Sequence, residues 1–315
     1  MEAMKVFIAG ATGVLGRRVV RLLTAEGHQV VGLSRSPANS EWLAQNGARP
    51  ASGDLFDLEH MALLAAGCEA VLHLATAIPN KTRGSVADWA ANDRIRRDGT
   101  RVLVQAALRN HARLYVQQSV TFIYGDHGAD WVDENTPVPA QPGGILQSAV
   151  DMEQIVRRAA QEQGLPAAIL RLGMFYCYDS AQTRSILDSA RRGAFPVIGN
   201  GEAYWSQIQV DDAARAVVSA VDNSAQAAGA TYNVCDNEPA PYHEVATFLA
   251  QALGARPPKR MPAVLARLLV GSLTVGTLTT SLRVRNRLID EQLGWRPQYP
   301  TYREGYRAEI QKWDG

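Results

Sequence analysis

Cysteine is scarce in this 315-residue chain: Cys68, Cys177 and Cys235 are its only three, and they lie far apart. An odd, scattered set builds no disulfide framework and matches no metal-ligand spacing, so a reducing, cytoplasmic setting is expected. Charge of one sign is lacking too, with 32 basic against 31 acidic side chains. Near-neutrality creates no field that would gather nucleic acid or anionic lipid. The one basic cluster, Arg94, Arg96, Arg97 and Arg101, falls at helical spacing and reads as a solvated face. Long hydrophobic runs are missing as well. The most apolar stretch, Leu268 to Leu282, has 15 uncharged residues broken by glycine and threonine, too short to span a bilayer. The first residues lack the cationic start and apolar stretch of a signal peptide. No combination of His, Asp, Glu and Cys has metal spacing, so no metal is expected. A small molecule remains as the expected partner, with no nucleic acid and no membrane.

What is present is alternation. Lys5–Ala9 reads as a buried strand and Val14–Glu26 as an amphipathic helix closed by Gly27. Strands follow at Gln29–Leu33, Arg49–Ser52, Glu69–Leu74, Leu114–Gln118 and Ala167–Leu172. Helical patterns at Ala38–Asn46, Leu58–Ala66, Ala87–Asn110 and Ser148–Gln163 separate them. Strands alternating with helices imply a parallel sheet covered on both faces, an α/β Rossmann-type doubly wound fold. After Arg171 the rhythm breaks and proline recurs, at Pro196, Pro239, Pro241, Pro257, Pro258 and Pro262. The expected organisation is therefore a dinucleotide-binding domain over residues 1–171, to which about 210–236 return. A smaller C-terminal substrate lobe is expected from 172–209 and 237–315.

The first strand runs straight into Gly10-Ala11-Thr12-Gly13-Val14-Leu15-Gly16 and then a helix. Glycine permits a tight turn and lets the backbone approach a pyrophosphate. The helix start adds unpaired N–H groups and a positive dipole end. Gly10, Thr12, Gly13, Val14, Leu15 and Gly16 are the expected cofactor contacts. Cofactor choice is made at the end of the second strand, where a carboxylate would hold the ribose hydroxyls of NAD. Here the chain reads Leu33-Ser34-Arg35-Ser36. Ser34 and Arg35, with Arg17, suit a 2′-phosphate, so NADP(H) is expected rather than NAD(H).

These residues, taken with others, resemble the extended short-chain dehydrogenase/reductases, often called NAD-dependent epimerase/dehydratases. The spacing of Gly10, Gly13 and Gly16 is theirs. So are Gly53-Asp54-Leu55, Leu72-His73-Leu74-Ala75, Asp98-Gly99-Thr100, Ile123-Tyr124-Gly125 and Leu170-Arg171. Further matches are Ile208-Gln209-Val210-Asp211-Asp212, Tyr232-Asn233-Val234 and Leu293-Gly294-Trp295. The resemblance covers nearly the whole chain and implies further cofactor contacts at Asp54, Leu55, Leu74 and Ala75. It also implies a tyrosine four residues before a lysine as acid/base, with a Ser or Thr beside them. Aligned on Ser148 and Glu153, the tyrosine position falls on Ile145 and the lysine position on Ala149. The Ser/Thr position falls on Val120. None of these three can transfer a proton. Between Trp131 and Gln163 there is no tyrosine and no lysine, so no slip of register restores the pair.

Candidates for a relocated proton donor are Ser119, Thr121, Tyr176 and Tyr178, with Asp179 as a partner for either tyrosine. Phe122, Tyr124, Ile145, Met174, Trp205, Gln207 and Gln209 are expected to line the substrate cavity, Gln209 where many relatives carry histidine. Cys177 reads as packing, His73 as structural and His127 as solvated. Three functions stay open: an NADP(H)-dependent oxidoreductase on a small apolar carbonyl, enone, quinone or iminium; a redox-neutral isomerase, cyclase or lyase; and a non-catalytic NADP(H) sensor. The resemblance also implies a homodimer through the two long helices, Ala87–Asn110 and Ser148–Gln163.

Overall fold

A computed structural model describes residues 2–79, 81 and 83–314. Seven parallel strands form one sheet. In chain order they include β1 (Lys5–Ala9), β2 (Gln29–Ser34), β3 (Arg49–Ser52), β4 (Ala70–His73), β5 (Leu114–Val120) and β6 (Ala167–Leu172). Two short strands outside it, β7 (Met174–Tyr176) and β8 (Gln207–Gln209), pair with each other, and β9 (Thr231–Val234) returns as the edge of the main sheet. The spatial order is β9-β6-β5-β4-β1-β2-β3. The chain winds outward from β1 to β3, then crosses back to β4 on the other side. The carboxyl ends of β1 and β4 therefore open the crevice where doubly wound sheets bind ligands.

Both faces of the sheet are apolar, as strands buried on two sides require. Val6, Ile8, Leu72, Val116 and Leu170 face α1 (Val14–Ala25), through Leu15, Val19 and Leu23, and a later helix through Ala213 and Val217. Phe7, Val31, Val71, Tyr115 and Ile169 face the opposite layer, with Met61, Leu103 and Val156. In chain order the remaining helices used below are α2 (Pro37–Gln45), α3 (Leu58–Leu64), α4 (Ala90–Arg94), α5 (Thr100–Arg109), α6 (Gln147–Gln163), α7 (Ala181–Arg191) and α8 (Val210–Asp222). They continue as α9 (Tyr242–Ala252), α10 (Ala263–Val270), α11 (Ser272–Thr279) and α12 (Tyr302–Asp314).

The expected helix from Ala87 to Asn110 is continuous but not uniform in winding. A 3₁₀ turn covers Val86–Trp89, and a π-helical turn at Ile95–Gly99 separates α4 from α5. Gly99 lies in the π-turn, where an added Cβ would come within 2.9 Å of Leu55 and 3.5 Å of His73. Glycine there lets the helix press on both residues. Beyond the sheet, a second core joins Tyr176, Trp205, Tyr242, Tyr302 and Tyr306 with Val245 and Leu249 of α9. Trp205 stacks on Tyr242 at 4.4 Å between ring centroids, and Tyr176 on Tyr306 at 4.0 Å. Among the described residues no helix is long and apolar enough to cross a membrane.

Candidate functional site

The turn after β1 is built from backbone pressed on backbone. Gly10 has φ +90°, and a Cβ there would lie 2.5 Å from the Ala75 nitrogen. At Gly16 an added Cβ would stand 2.0 Å from the Gly10 carbonyl oxygen. Both glycines are needed to seat α1 against the end of β4, which brings Leu74 and Ala75 onto the same turn. Gly13 differs. Its Cβ would meet only the Gly10 oxygen, at 3.4 Å, so the protein's own packing leaves that side open. No side chain caps α1 and no acidic residue sits in its first turn. A helix start with unspent N–H groups and no competing carboxylate suits a pyrophosphate.

Around it, Arg17 is pinned by its Nε donating to the Thr12 carbonyl at 3.0 Å, with its guanidinium 4.6 Å from the Trp42 ring centroid. Ser34 is buried; its hydroxyl donates to the Ser36 carbonyl at 3.1 Å and accepts from Ser40. Arg35 is exposed, and no carboxylate among the described residues lies within ion-pair distance of it. Asp54 is exposed and accepts from the Phe56 N–H at 3.1 Å, while Leu55 is buried over Gly99.

At the other end of the crevice the polar groups are spent on one another. Ser119 donates to Glu153 Oε1 at 2.7 Å, and Arg171 grips the same carboxylate through Nε at 2.9 Å and Nη2 at 2.6 Å. Arg171 also donates to the Tyr124 hydroxyl at 2.7 Å, and that hydroxyl donates to Asn233 Oδ1 at 2.9 Å. Burial would lower the Arg171 pKa, but its hydrogen bonds and charge contact with Glu153 prevail and raise it. Burial pushes the Tyr124 hydroxyl up. Beside this network Val120 and Ala149 share an apolar cluster with Ile123 and Val150, and Thr121 is buried. Ile145 is half-buried.

The remaining candidates lie in the second core or on its border. Tyr176 is sealed: an added Cβ at Gly305 would fall 1.8 Å from its hydroxyl, and burial raises its pKa well above the usual tyrosine value. Tyr178 is half-buried, and its backbone N–H donates to Glu309 at 2.6 Å. Asp179 pairs with Arg18 at 2.8 Å rather than with either tyrosine. Phe122 and Tyr124 pack around Val132, Cys235 and Leu282, whereas Met174 and Trp205 belong to the second core. Gln207 donates to the Tyr306 hydroxyl at 2.9 Å. Gln209 caps α8, its Oε1 accepting from the N–H groups of Asp211 and Asp212. Two cavities, of about 620 and 390 Å³, are lined by none of the seven residues expected to line the substrate cavity, Ile145 included, and by none of the glycine turn.

His73 is buried, and burial lowers its pKa to about 4. Cys177 is also buried, and burial, then the Asp179 charge, raise its thiol to about 12, so it is no thiolate near neutrality. His127 is half-buried against the Tyr124 carbonyl at 3.2 Å, not freely solvated. Glu26, His28 and Asp222 place their ligand atoms within 4.8 Å of one another. Yet His28 Nδ1 accepts the Met4 N–H at 3.1 Å, which leaves Nε2 carrying the proton toward Asp222, with no lone pair for a metal.

One residue corrects the reading of the basic cluster. Arg97 pairs with Asp151 and Arg101 with Asp98, as on a solvated face, and Arg94 lies 3.7 Å above the Phe56 ring centroid. Arg96 instead points inward and is 7% exposed. Its Nη1 donates to the Ile145 carbonyl at 3.1 Å and to the Ser148 hydroxyl at 3.2 Å, at the start of α6. No carboxylate among the described residues is in ion-pair reach, and burial lowers its pKa to about 10. Helical spacing itself separates it: at about 100° per residue Arg94, Arg97 and Arg101 share one face, and Arg96 falls nearly opposite Arg94.

Comparison with known proteins finds similarity along most of the chain. The profile of the NAD dependent epimerase/dehydratase family matches residues 6–235. A 3-diazoavenalumate denitrifying reductase from Streptomyces sp is 33% identical over 97% of this chain and 100% of its own. A 4-hydroxy-2-methyl-3-oxo-4-farnesyl-3,4-dihydroquinoline-1-oxide ketoreductase from Stigmatella aurantiaca is 25% identical over 80% of this chain and 74% of its own. In fold the chain is similar to the human epimerase family protein SDR39U1, solved with NADPH, at TM-score 0.81, 19% identity and coverage of 98% and 99%.

Proposed function

The chain belongs to the NAD dependent epimerase/dehydratase family, and on that premise we propose that it is an NADP(H)-dependent reductase without a side-chain acid/base pair. Its substrate is a small, apolar, electron-poor molecule. The observation that carries the reading is the pairing of an open cofactor cradle with a spent chemical end. The Ser119 and Tyr124 hydroxyls are held by Glu153, Arg171 and Asn233, and Val120 and Ala149 sit in an apolar cluster, at positions that, with Ile145, the family resemblance assigns to the proton-transferring side chains.

The glycine turn and the uncapped start of α1 would hold the pyrophosphate, and Arg35 with Arg17 the 2′-phosphate. When bound, the nicotinamide supplies a hydride. Reduction of a ketone to an alcohol then needs a proton on oxygen, which this site does not offer. An enone, quinone or iminium takes hydride at an electron-poor atom, and water supplies any proton. A diazo compound is another acceptor in which the reducible group is not a carbonyl, and the name of the Streptomyces relative supports that class. Arg96 contributes a guanidinium with no carboxylate partner at the start of α6, which favours negative charge developing on such an acceptor. A homodimer through the α5 and α6 faces belongs to the same reading.

The test is calorimetric titration with NADPH and NADH, followed by nicotinamide oxidation with enones, quinones, iminium and diazo compounds set against simple ketones. Turnover confined to the electron-poor acceptors is expected. Turnover on ketones with a bell-shaped pH profile would reveal a proton donor and end the proposal. Tight binding without oxidation of any acceptor would instead move the chain to redox-neutral chemistry or to sensing.

A further inference from the structure

The near-neutral total conceals a strong segregation of charge. Between Glu244 and Asp290 the chain has no acidic residue and seven basic ones: Arg256, Lys259, Arg260, Arg267, Arg283, Arg285 and Arg287. The other 270 residues carry 25 basic against 31 acidic side chains, so they are net acidic. In the middle of the basic stretch lies α10, and its outward side is apolar. Val264 is 68% exposed, Leu265 46%, Leu268 64% and Leu269 53%, while Ala266 is buried in the second core and Ala263 and Val270 pack against it. Residues at i, i+1, i+4 and i+5 share one side of a helix, so these four form a single ridge. Arg267 is exposed on the same helix, and Arg256, Lys259 and Arg260 are exposed on the segment leading into it. Arg83 bonds the Leu268 carbonyl and adds a further exposed cation at the carboxyl end of α10.

We propose that α10 docks the protein on an anionic lipid surface, the ridge entering the headgroup boundary and the surrounding cations meeting the phosphates. Four large aliphatic side chains on two turns are more exposed apolar surface than chance scatter leaves on one element. The same combination of an apolar ridge and a basic surround is how helices lie in the plane of a membrane interface without crossing it. A second copy of this chain fits less well. A two-fold arrangement across α10 would set the same arginines and Lys259 against one another with no acidic residue of the stretch to pair them. The sheet and the glycine turn are not part of this face, so docking stands apart from the reaction proposed above.

The experiment is flotation of the full-length protein with two vesicle types, pure phosphatidylcholine and phosphatidylcholine with about a third phosphatidylglycerol. At least about tenfold more protein should float with the anionic vesicles at low salt, and most of that excess should vanish at high salt. The double variant Leu265→Glu with Leu268→Glu should stay at the bottom of the gradient. Arg260→Gln with Arg267→Gln should float several-fold less. All four side chains are exposed, so thermal unfolding coincident with the parent protein verifies that the variants fold. The salt series on the parent needs no variant. Equal partition between the two vesicle types overturns the proposal. So does parent-like flotation of the leucine variant, or a fall in that variant's solution mass with no vesicle binding by the parent, which would show a second copy on the ridge.

Discussion

The two ends of the crevice handle their polar groups in opposite ways. At the glycine turn, backbone N–H groups are left without side-chain partners, and the closest contacts are between Gly10, Gly16 and Ala75. Where β5 meets α6, the side chains of Ser119, Glu153, Arg171, Tyr124 and Asn233 are tied into one buried network. The first end leaves backbone exposed at Gly13, although Gly10 and Gly16 also seat α1 against the end of β4. The second holds β5, β6, β9 and α6 in place through the hydrogen bonds of its own side chains. Substitutions in the network should therefore cost stability, whereas those at the turn should cost affinity, and stability as well only where an added Cβ would meet backbone.

The largest effect is expected at Glu153. Its side chain is 5% exposed and that of Arg171 4%, so Glu153→Gln keeps the shape and strands a buried cation. A loss of about 3–5 kcal/mol in urea unfolding should follow. A loss under about 1 kcal/mol would mean that the network does not carry the structural role assigned to it.

Acid should act on the same layer through His73, whose folded pKa of about 4 lies below its ordinary 6.5 because it is buried. Above pH 6.5 neither the folded nor the unfolded form is protonated, and the residue is silent. Between 6.5 and 4 the unfolded chain binds a proton that the folded chain refuses, so stability falls as pH falls. The shift corresponds to roughly 3 kcal/mol between neutrality and pH 4. His73→Gln should flatten that part of the profile relative to the parent protein; parallel profiles would show that the titration lies elsewhere.

The glycine turn offers an internal control. Gly16→Ala forces a Cβ to 2.0 Å from a carbonyl oxygen and should cost about 1–3 kcal/mol of stability along with cofactor affinity. Gly13→Ala meets its nearest protein atom at 3.4 Å. It should therefore unfold like the parent while binding NADPH about tenfold or more weakly. Parent-like affinity in the Gly13 variant would place the pyrophosphate elsewhere.

The glycine turn was legible because its physics is local. A buried strand, three glycines and an amphipathic helix follow one another within about one βα unit, and each carries its own signal. The parallel sheet was legible for a related reason, since alternation and apolar runs repeat along the chain. The chemical end was not. Glu153 reaches Ser119 from another element, and Gly305, near the far end of the chain, is what seals the Tyr176 hydroxyl. Arg96 lies nearly opposite Arg94 on the helix, and its partners, the Ile145 carbonyl and the Ser148 hydroxyl, come from a segment about fifty residues away. Local order along a segment is written in its periodicity, whereas the partner of a polar side chain depends on how distant segments meet.

The smallest effect should be found at Arg35, and it bears on which cofactor the open end prefers. Ser34 turns its hydroxyl into the protein, toward Ser36 and Ser40, and Arg17 is held by Thr12 and Trp42. Arg35 alone among these is exposed without an ion-pair partner among the described residues, so its guanidinium is available to a 2′-phosphate. Arg35→Ala should weaken NADPH about tenfold, or about 1.4 kcal/mol, and leave NADH nearly unchanged. The control matters as much as the loss. An equal drop for both nicotinamides would mean that the substitution disturbs the turn and not phosphate recognition. No drop for either would leave Arg17, fixed against the turn by its bond to Thr12, as the residue that reads the phosphate.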